Sequence, residues 1–170
     1  MATVLFALDQ NFPQPVIDPL VRFQAHAELV PVRDIDPRMS ELDDWELLLA
    51  LHHHERPWAG LITTDSSMLA QARELATLLK TKLTLVVAMA AGHDPVRASG
   101  LLFAHLGNVA QRADPRRAQV FRLRARGRPA DDPWNACLLP LAQRQGREAS
   151  DLYAEACPTA DELARNPLSG

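Results

Sequence analysis

Three aspartates stand where this chain changes secondary structure. Asp9 ends the apolar run Val4-Leu5-Phe6-Ala7-Leu8, Asp44 falls in the opening turn of a helical segment, and Asp65 follows the apolar stretch Ala59–Thr63. Clustered carboxylates raise each other's pKa and need a counter-charge. A hard divalent ion suits them, since magnesium or manganese takes oxygen ligands and keeps several waters. Such an ion activates water and neutralises the charge that develops on a phosphodiester. The placement therefore suggests metal-dependent hydrolysis, with Asp9, Asp44 and Asp65 as metal ligands and catalytic acids. Each also has a plain structural use: strand terminator, stabiliser of a helix start, and helix cap.

Other polar residues cluster around these three. Asn11 could orient a carboxylate or contact substrate, and is equally at home in a turn. Thr63 and Thr64 could bond a phosphate or a metal's water shell, and Ser67 could donate a hydrogen bond. Asp34 and Asp36 compete with Asp44 for the third position. Asp94 follows a fourth strand and is a more distant acid, or a routine turn residue before Pro95. His52, His53 and His54 are consecutive, so on a helix they point apart, because facing neighbours lie three or four positions away. Structural or surface roles fit them better than metal binding, unless one faces His26 or His93. Ser66, His93 and Asp94 lack the glycine-rich context of a nucleophile turn. No glycine-rich loop marks a nucleotide site. Trp45 and Trp58 are expected in or near the core, with stacking on a base a secondary role.

These residues need elements to position them. The run Val4–Leu8 reads as a strand buried on both faces. Asn11-Phe12-Pro13-Gln14-Pro15 opens a helix carried by Val16, Ile17, Leu20, Val21 and Phe23, with Pro19 near its start. A strand follows over 28–32. Ser40-Glu41-Leu42-Asp43 has capping-box spacing, with Ser40 as cap. Trp45 to Leu51 continues that helix, and the three histidines close it. Ala59–Thr63 is the next strand, Met68 to Leu79 the next helix, and Leu83–Met89 the strongest strand signal. Helical spacing returns from Arg97 to Ala110, and 119–124 reads as an edge strand. Alternating strands and helices imply right-handed crossovers and a mostly parallel sheet with helices on both faces, a three-layer α/β fold. In such a sheet the strand ends and following helix starts share one edge, where ligands bind. Gly127 to Pro133 looks like a boundary, dividing residues 1–128 from an extension over 129–170. In that extension Trp134–Ala142 and Asp161–Arg165 are short helices, and Asn166 onward is expected to be loose.

Bulk composition fits this reading. With 170 residues, 47% hydrophobic and 23% charged, the chain is in the ordinary globular range. No apolar run approaches the roughly 20 residues of a membrane helix. Only Cys137 and Cys157 are present, too few for a disulfide framework or a structural zinc. A cytoplasmic location follows by default. The net charge of -3 hides segregation: Asp34, Asp36, Glu41, Asp43, Asp44 and Glu46 lie within one stretch, and seven arginines lie between Arg112 and Arg128. An acidic site beside a basic strip suits a phosphate-backbone substrate. Arg122 and Arg124 are then candidate substrate contacts, together with Asn11, Thr64 and Ser67.

Several segments resemble the PIN-like fold, and within it small proteins related to the Mut7-C type of PIN domain. Leu8-Asp9-Gln10-Asn11-Phe12-Pro13 looks like that group's opening, and Val32-Arg33-Asp34-Ile35 is similar to its second-strand segment. Asp44-Trp45-Glu46-Leu47-Leu48 resembles the acidic start of the following helix. Ile62-Thr63-Thr64-Asp65-Ser66-Ser67-Met68-Leu69 looks like the third-strand motif. The resemblance covers Thr3 to Met89, about half the chain. It implies a Mg2+- or Mn2+-dependent ribonuclease acting on single-stranded RNA, with Asp9, Asp44 and Asp65 as metal-binding acids and water as the nucleophile. The partners to expect are RNA, an antitoxin or other protein, and a second copy of the chain, and no membrane. Two departures remove negative charge. Gln10 stands where an acid is common, and Ser67 where the motif's second aspartate would be. They favour a competing reading, a catalytically weakened or inactive module that binds a protein or nucleic-acid partner. A small-phosphoester hydrolase is a third class, though the paired acids on one loop that would favour it are lacking.

Overall fold

The computed structural model describes residues 3–126 and 130–170. Gly127, Arg128 and Pro129, which belong to the expected boundary and arginine strip, lie outside the described residues.

Five parallel strands form one sheet: β1 (Val4–Leu8), β2 (Ala27–Pro31), β3 (Gly60–Thr63), β4 (Thr84–Ala88) and β5 (Gln119–Leu123), in the order β2-β1-β3-β4-β5. Order 2-1-3-4-5 is one of the common doubly wound arrangements, and its direction reverses between the first and third strands. The expected α/β class and parallel sheet are both present. β1, β3 and β4 read as continuous apolar runs because both their faces are covered.

Alternation along the strands sorts the core into two layers. Leu5, Ala7, Leu61, Leu85, Val87 and Val120 face one side. There they meet α3 (Asp44–His53) and α4 (Ala72–Thr81), through residues such as Leu48, Leu51, Leu75 and Leu78. Phe6, Leu8, Ile62, Val86, Ala88 and Phe121 face the other side. They are covered by α1 (Gln14–Phe23) and α5 (Pro95–Arg112), through Ile17, Leu20, Leu102 and Leu106. Among the described residues no helix is long and apolar enough to cross a membrane.

β3 and β4 meet closely at Gly60. A Cβ there would lie 1.7 Å from the Thr84 carbonyl oxygen, so only glycine fits the crossing.

Several local details differ from the sequence reading. The Ser40 capping box does not form. Asp36 instead caps a 3₁₀ turn over Pro37–Glu41, accepting from the Arg38 N–H at 2.9 Å, and this turn absorbs Ser40. Pro37, with its fixed φ, starts that turn. Leu42 and Asp43 are extended, and α3 begins at Asp44, where the Glu46 carboxylate accepts from the Asp43 N–H at 3.2 Å. A short helix, α2 (Val32–Ile35), takes over at the end of β2, so the strand stops at Pro31. The helix expected from Met68 is split into a 3₁₀ turn over Ser66–Ala70, capped by Asp65, and α4.

The C-terminal segment folds onto the α3/α4 face. A π-helical turn over Trp134–Leu138 leads into α6 (Leu139–Arg144), α7 (Ala149–Ala156) and α8 (Ala160–Ala164). Cys137, Leu138, Leu141, Ala142 and Leu152 are buried in the same apolar layer as β1, β3 and β4. The sequence reading missed α7. Nor is the stretch after Asn166 loose, since Arg38 Nη1 donates to the Leu168 carbonyl at 2.9 Å and Leu168 packs against that layer.

Candidate functional site

β1 and β3 are neighbours, so the residues that follow them emerge side by side at the C-terminal edge of the sheet. The Asp9 N–H extends their pairing, donating to the Ile62 carbonyl at 2.9 Å. Its carboxylate is nearly closed off from solvent, at 2% residue exposure. Oδ2 accepts from the Thr63 hydroxyl at 2.8 Å and from Asn11 Nδ2 at 3.3 Å. The Thr63 oxygen in turn accepts from the Asp65 N–H at 3.0 Å. A single hydroxyl thus joins the ends of the two strands. Thr64 fastens the next turn by donating to the Asn11 carbonyl at 2.9 Å.

Asp44 reaches the same edge from the first turn of α3, because α3 runs antiparallel to the strands. Burial is the main force on its carboxyl, and repulsion from Asp9, Asp65, Glu74 and Asp43 adds to it, raising its pKa to about 6. Burial likewise raises the pKa of Asp9; the bonds from Thr63, Gln10 and Asn11 oppose this, and Asp65 adds to it. The three predicted acids are therefore one electrostatic site.

A fourth member went unnoticed in the sequence. Glu74 lies in the first turn of α4, half-buried. Burial raises its pKa, Arg73 pulls it down and Asp43 pushes it up. In the structure Glu74 opens the helix after Asp65 much as Asp44 opens the helix after the second strand, but a helix read as starting at Met68 hides this.

A cleft of about 220 Å³ opens beside Asp9 between the ends of β1 and β2, with Gln10, Arg33 and Ser40 on its walls. The donor set is all oxygen, and the proton affinity of Asp9 and Asp44 is raised; oxygen ligands are what magnesium or manganese would use. The carboxylates do not close on a single point, however. Among the described residues no three Asp, Glu, His or Cys side chains are arranged to hold a metal ion.

The remaining candidates separate. Asp65 Oδ1 accepts from the Ser67 N–H at 2.9 Å, so both belong to the turn, and Ser67 is exposed. Asp36 is held by two bonds from the Arg38 guanidinium, which, with the Arg38 N–H, lower its pKa. Asp34 is exposed beside Arg33. Asp94 caps α5. The histidines do not converge: His53 Nε2 lies 2.6 Å from the Leu163 carbonyl, His54 accepts from the Arg56 N–H, and His26 packs at Gly107 on the opposite face. Trp58 is buried, and Trp45 carries the Arg73 guanidinium 3.9 Å above its ring.

The arginine strip is not one surface. Arg112 ends α5, and Arg116 and Arg117 pair with Asp114 before β5 begins, all at the edge opposite the acids. Arg122 lies on the strand face covered by the C-terminal segment. Its Nη2 donates to the Ala136 carbonyl at 3.0 Å, and its Nε stands 3.7 Å from Asp131. Its guanidinium fastens that segment, and so is occupied inside the protein. Arg124 is exposed just past β5. It shares the acidic edge, three strand spacings from β1, or roughly 14 Å.

Fold and site together define a three-layer α/β protein with an acidic cluster at the point where its strand order reverses. No protein-family model, curated protein or solved structure matches the chain.

Proposed function

We propose that the protein is a metal-dependent hydrolase that cleaves phosphodiester bonds of single-stranded RNA, as its resemblance to PIN-like domains implies. One observation carries this reading. Asp9, Asp44 and Asp65, far apart in sequence, come to the β1/β3 edge, where burial, and after it the charges of Asp9 and Asp65, raise the proton affinity of Asp44. Forcing carboxylates together is costly, and a cation offsets that cost. Asp9, Asp44 and Asp65 would hold magnesium or manganese if their carboxylates close on the ion, and Glu74 adds to the negative charge felt by Asp44. Such an ion would supply charge neutralisation and a more acidic water. Asp9, kept in one orientation by Thr63 and Asn11, presents its remaining oxygen to the site.

The test is incubation of the pure protein with manganese and several unrelated single-stranded RNAs. Divalent-ion-dependent cleavage is expected, and Asp9→Asn or Asp65→Asn should abolish it. RNAs left intact throughout would overturn the reading.

A binding module without catalysis is the second reading. It is favoured by the lack, among the described residues, of a ready three-ligand arrangement, and by Gln10 and Ser67 in place of acids. It predicts no heat on manganese titration. Binding that disappears in Asp9→Asn would exclude it.

A further inference from the structure

An acidic cluster repels a phosphate chain, so a substrate of this site needs a cation placed at the rim. Of the expected arginines, Arg122 is used internally, Arg112, Arg116 and Arg117 lie at the far edge, and Arg124, though exposed on the acidic edge, stands three strand spacings from β1. Arg73 is better placed. It precedes Glu74 in the first turn of α4, close enough for its charge to lower the Glu74 pKa. Its guanidinium sits 3.9 Å from the centre of the ring of the partly exposed Trp45, one residue from Asp44. An aromatic ring with an arginine above it offers a stacking face for a base and a planar donor fork for a phosphate.

That fork is already engaged by an anion. Glu162 of α8 accepts from Arg73 Nη2 at 2.7 Å, and both side chains are 38% exposed. Glu162 is also held by the Thr159 N–H at 2.8 Å in a capping box. The C-terminal arm thus brings a carboxylate to an arginine that lies beside both acidic helix starts.

We propose that Arg73, on its Trp45 platform, is a substrate-binding residue for a nucleic-acid phosphate, and that Glu162 occupies the phosphate position until substrate displaces it. This rests on the proposed RNA substrate, but it can be tested apart from cleavage. A 5′-fluorescein-labelled oligouridylate is titrated with the full-length protein in calcium, and anisotropy reports binding. An exposed ion pair is weak, so Glu162→Gln should tighten binding by only about threefold. Arg73→Gln should weaken it by more than that, Arg73→Lys should weaken it less, and Glu162→Gln should have no further effect in the Arg73→Gln background. Thermal melting of each variant confirms that it folds. Equal affinity of wild type and Glu162→Gln, binding indifferent to Arg73, or no binding by any variant overturns the proposal. Manganese-dependent cleavage is scored separately. If the anisotropy pattern appears without cleavage, the nuclease reading falls and the phosphate subsite stands. Cleavage without the Glu162 effect gives the reverse.

Discussion

Asp9 and Asp44 are under different constraints despite sharing a site. Asp9 is the more buried and is anchored by Thr63, whose hydroxyl also receives the Asp65 N–H. Thr63→Val keeps the shape but strips the Asp65 N–H of its partner and leaves Asp9 Oδ2 with only the longer bond from Asn11. It should cost about 1–3 kcal/mol in urea denaturation, while Thr63→Ser recovers most of the loss. Asp44 carries the raised pKa of about 6 against 3.8. A carboxyl whose folded pKa lies above its unfolded value binds more protons folded than unfolded between the two. Stability therefore falls as pH rises from about 4 to 6 and stays lower above it. Asp44→Asn removes that penalty. Its melting temperature should exceed wild type at pH 7 without divalent ions, by the equivalent of about 1 kcal/mol after allowing for solvent screening of a half-exposed group. The difference should vanish below pH 4. Manganese should raise the wild-type melting temperature more than that of Asp44→Asn.

At the scale of elements, the site depends on how β1, β3 and β4 seat against one another. Gly60 is where β3 tolerates the Thr84 carbonyl, and backbone cannot retreat as a side chain can. Gly60→Ala should destabilise by more than about 3 kcal/mol, at the top of the range for point changes, and should lower expression. The helix starts were harder to read. A serine followed three residues later by an acid looks like a cap at Ser40. The structure moves the cap to Asp43 because Pro37 commits the preceding residues to a 3₁₀ turn. That shift is local, and it leaves Asp44 in the first turn where the periodicity expects it. Glu74 was missed for a different reason. Its helix appeared to begin at Met68, which put Glu74 mid-helix and away from the edge. Only the break at Ala70–Gln71 makes it a helix-start residue.

For the molecule as a whole, the C-terminal segment is part of the core. Leu138 is fully buried against the sheet layer that also carries Leu61 and Leu85. Leu138→Ala should cost about 2–5 kcal/mol by equilibrium unfolding. A chain ending at Arg126 should expose that layer and fail to give a cooperative melt. A cooperative melt for that shortened chain would mean residues 3–126 hold their own core. The same packing accounts for Arg122, which looked like a substrate contact because an arginine-rich strand at the sheet edge usually faces water. Covered by residues 131–138, it bonds the Ala136 carbonyl instead.

The strands, most of the helices and the three acids were legible because burial imposes a local rhythm: continuous apolar runs for strands covered twice, a 3.6-residue spacing for helices, and polar residues where each run stops. What a linear pattern does not encode is which runs lie side by side. Placing β1 between β2 and β3 is what makes Asp9 and Asp65 neighbours. The layer beneath the last forty residues is what turns Arg122 inward and brings Glu162 to Arg73. Those pairings join residues distant along the chain. They are set by how whole apolar faces fit together, a property that no short segment carries alone.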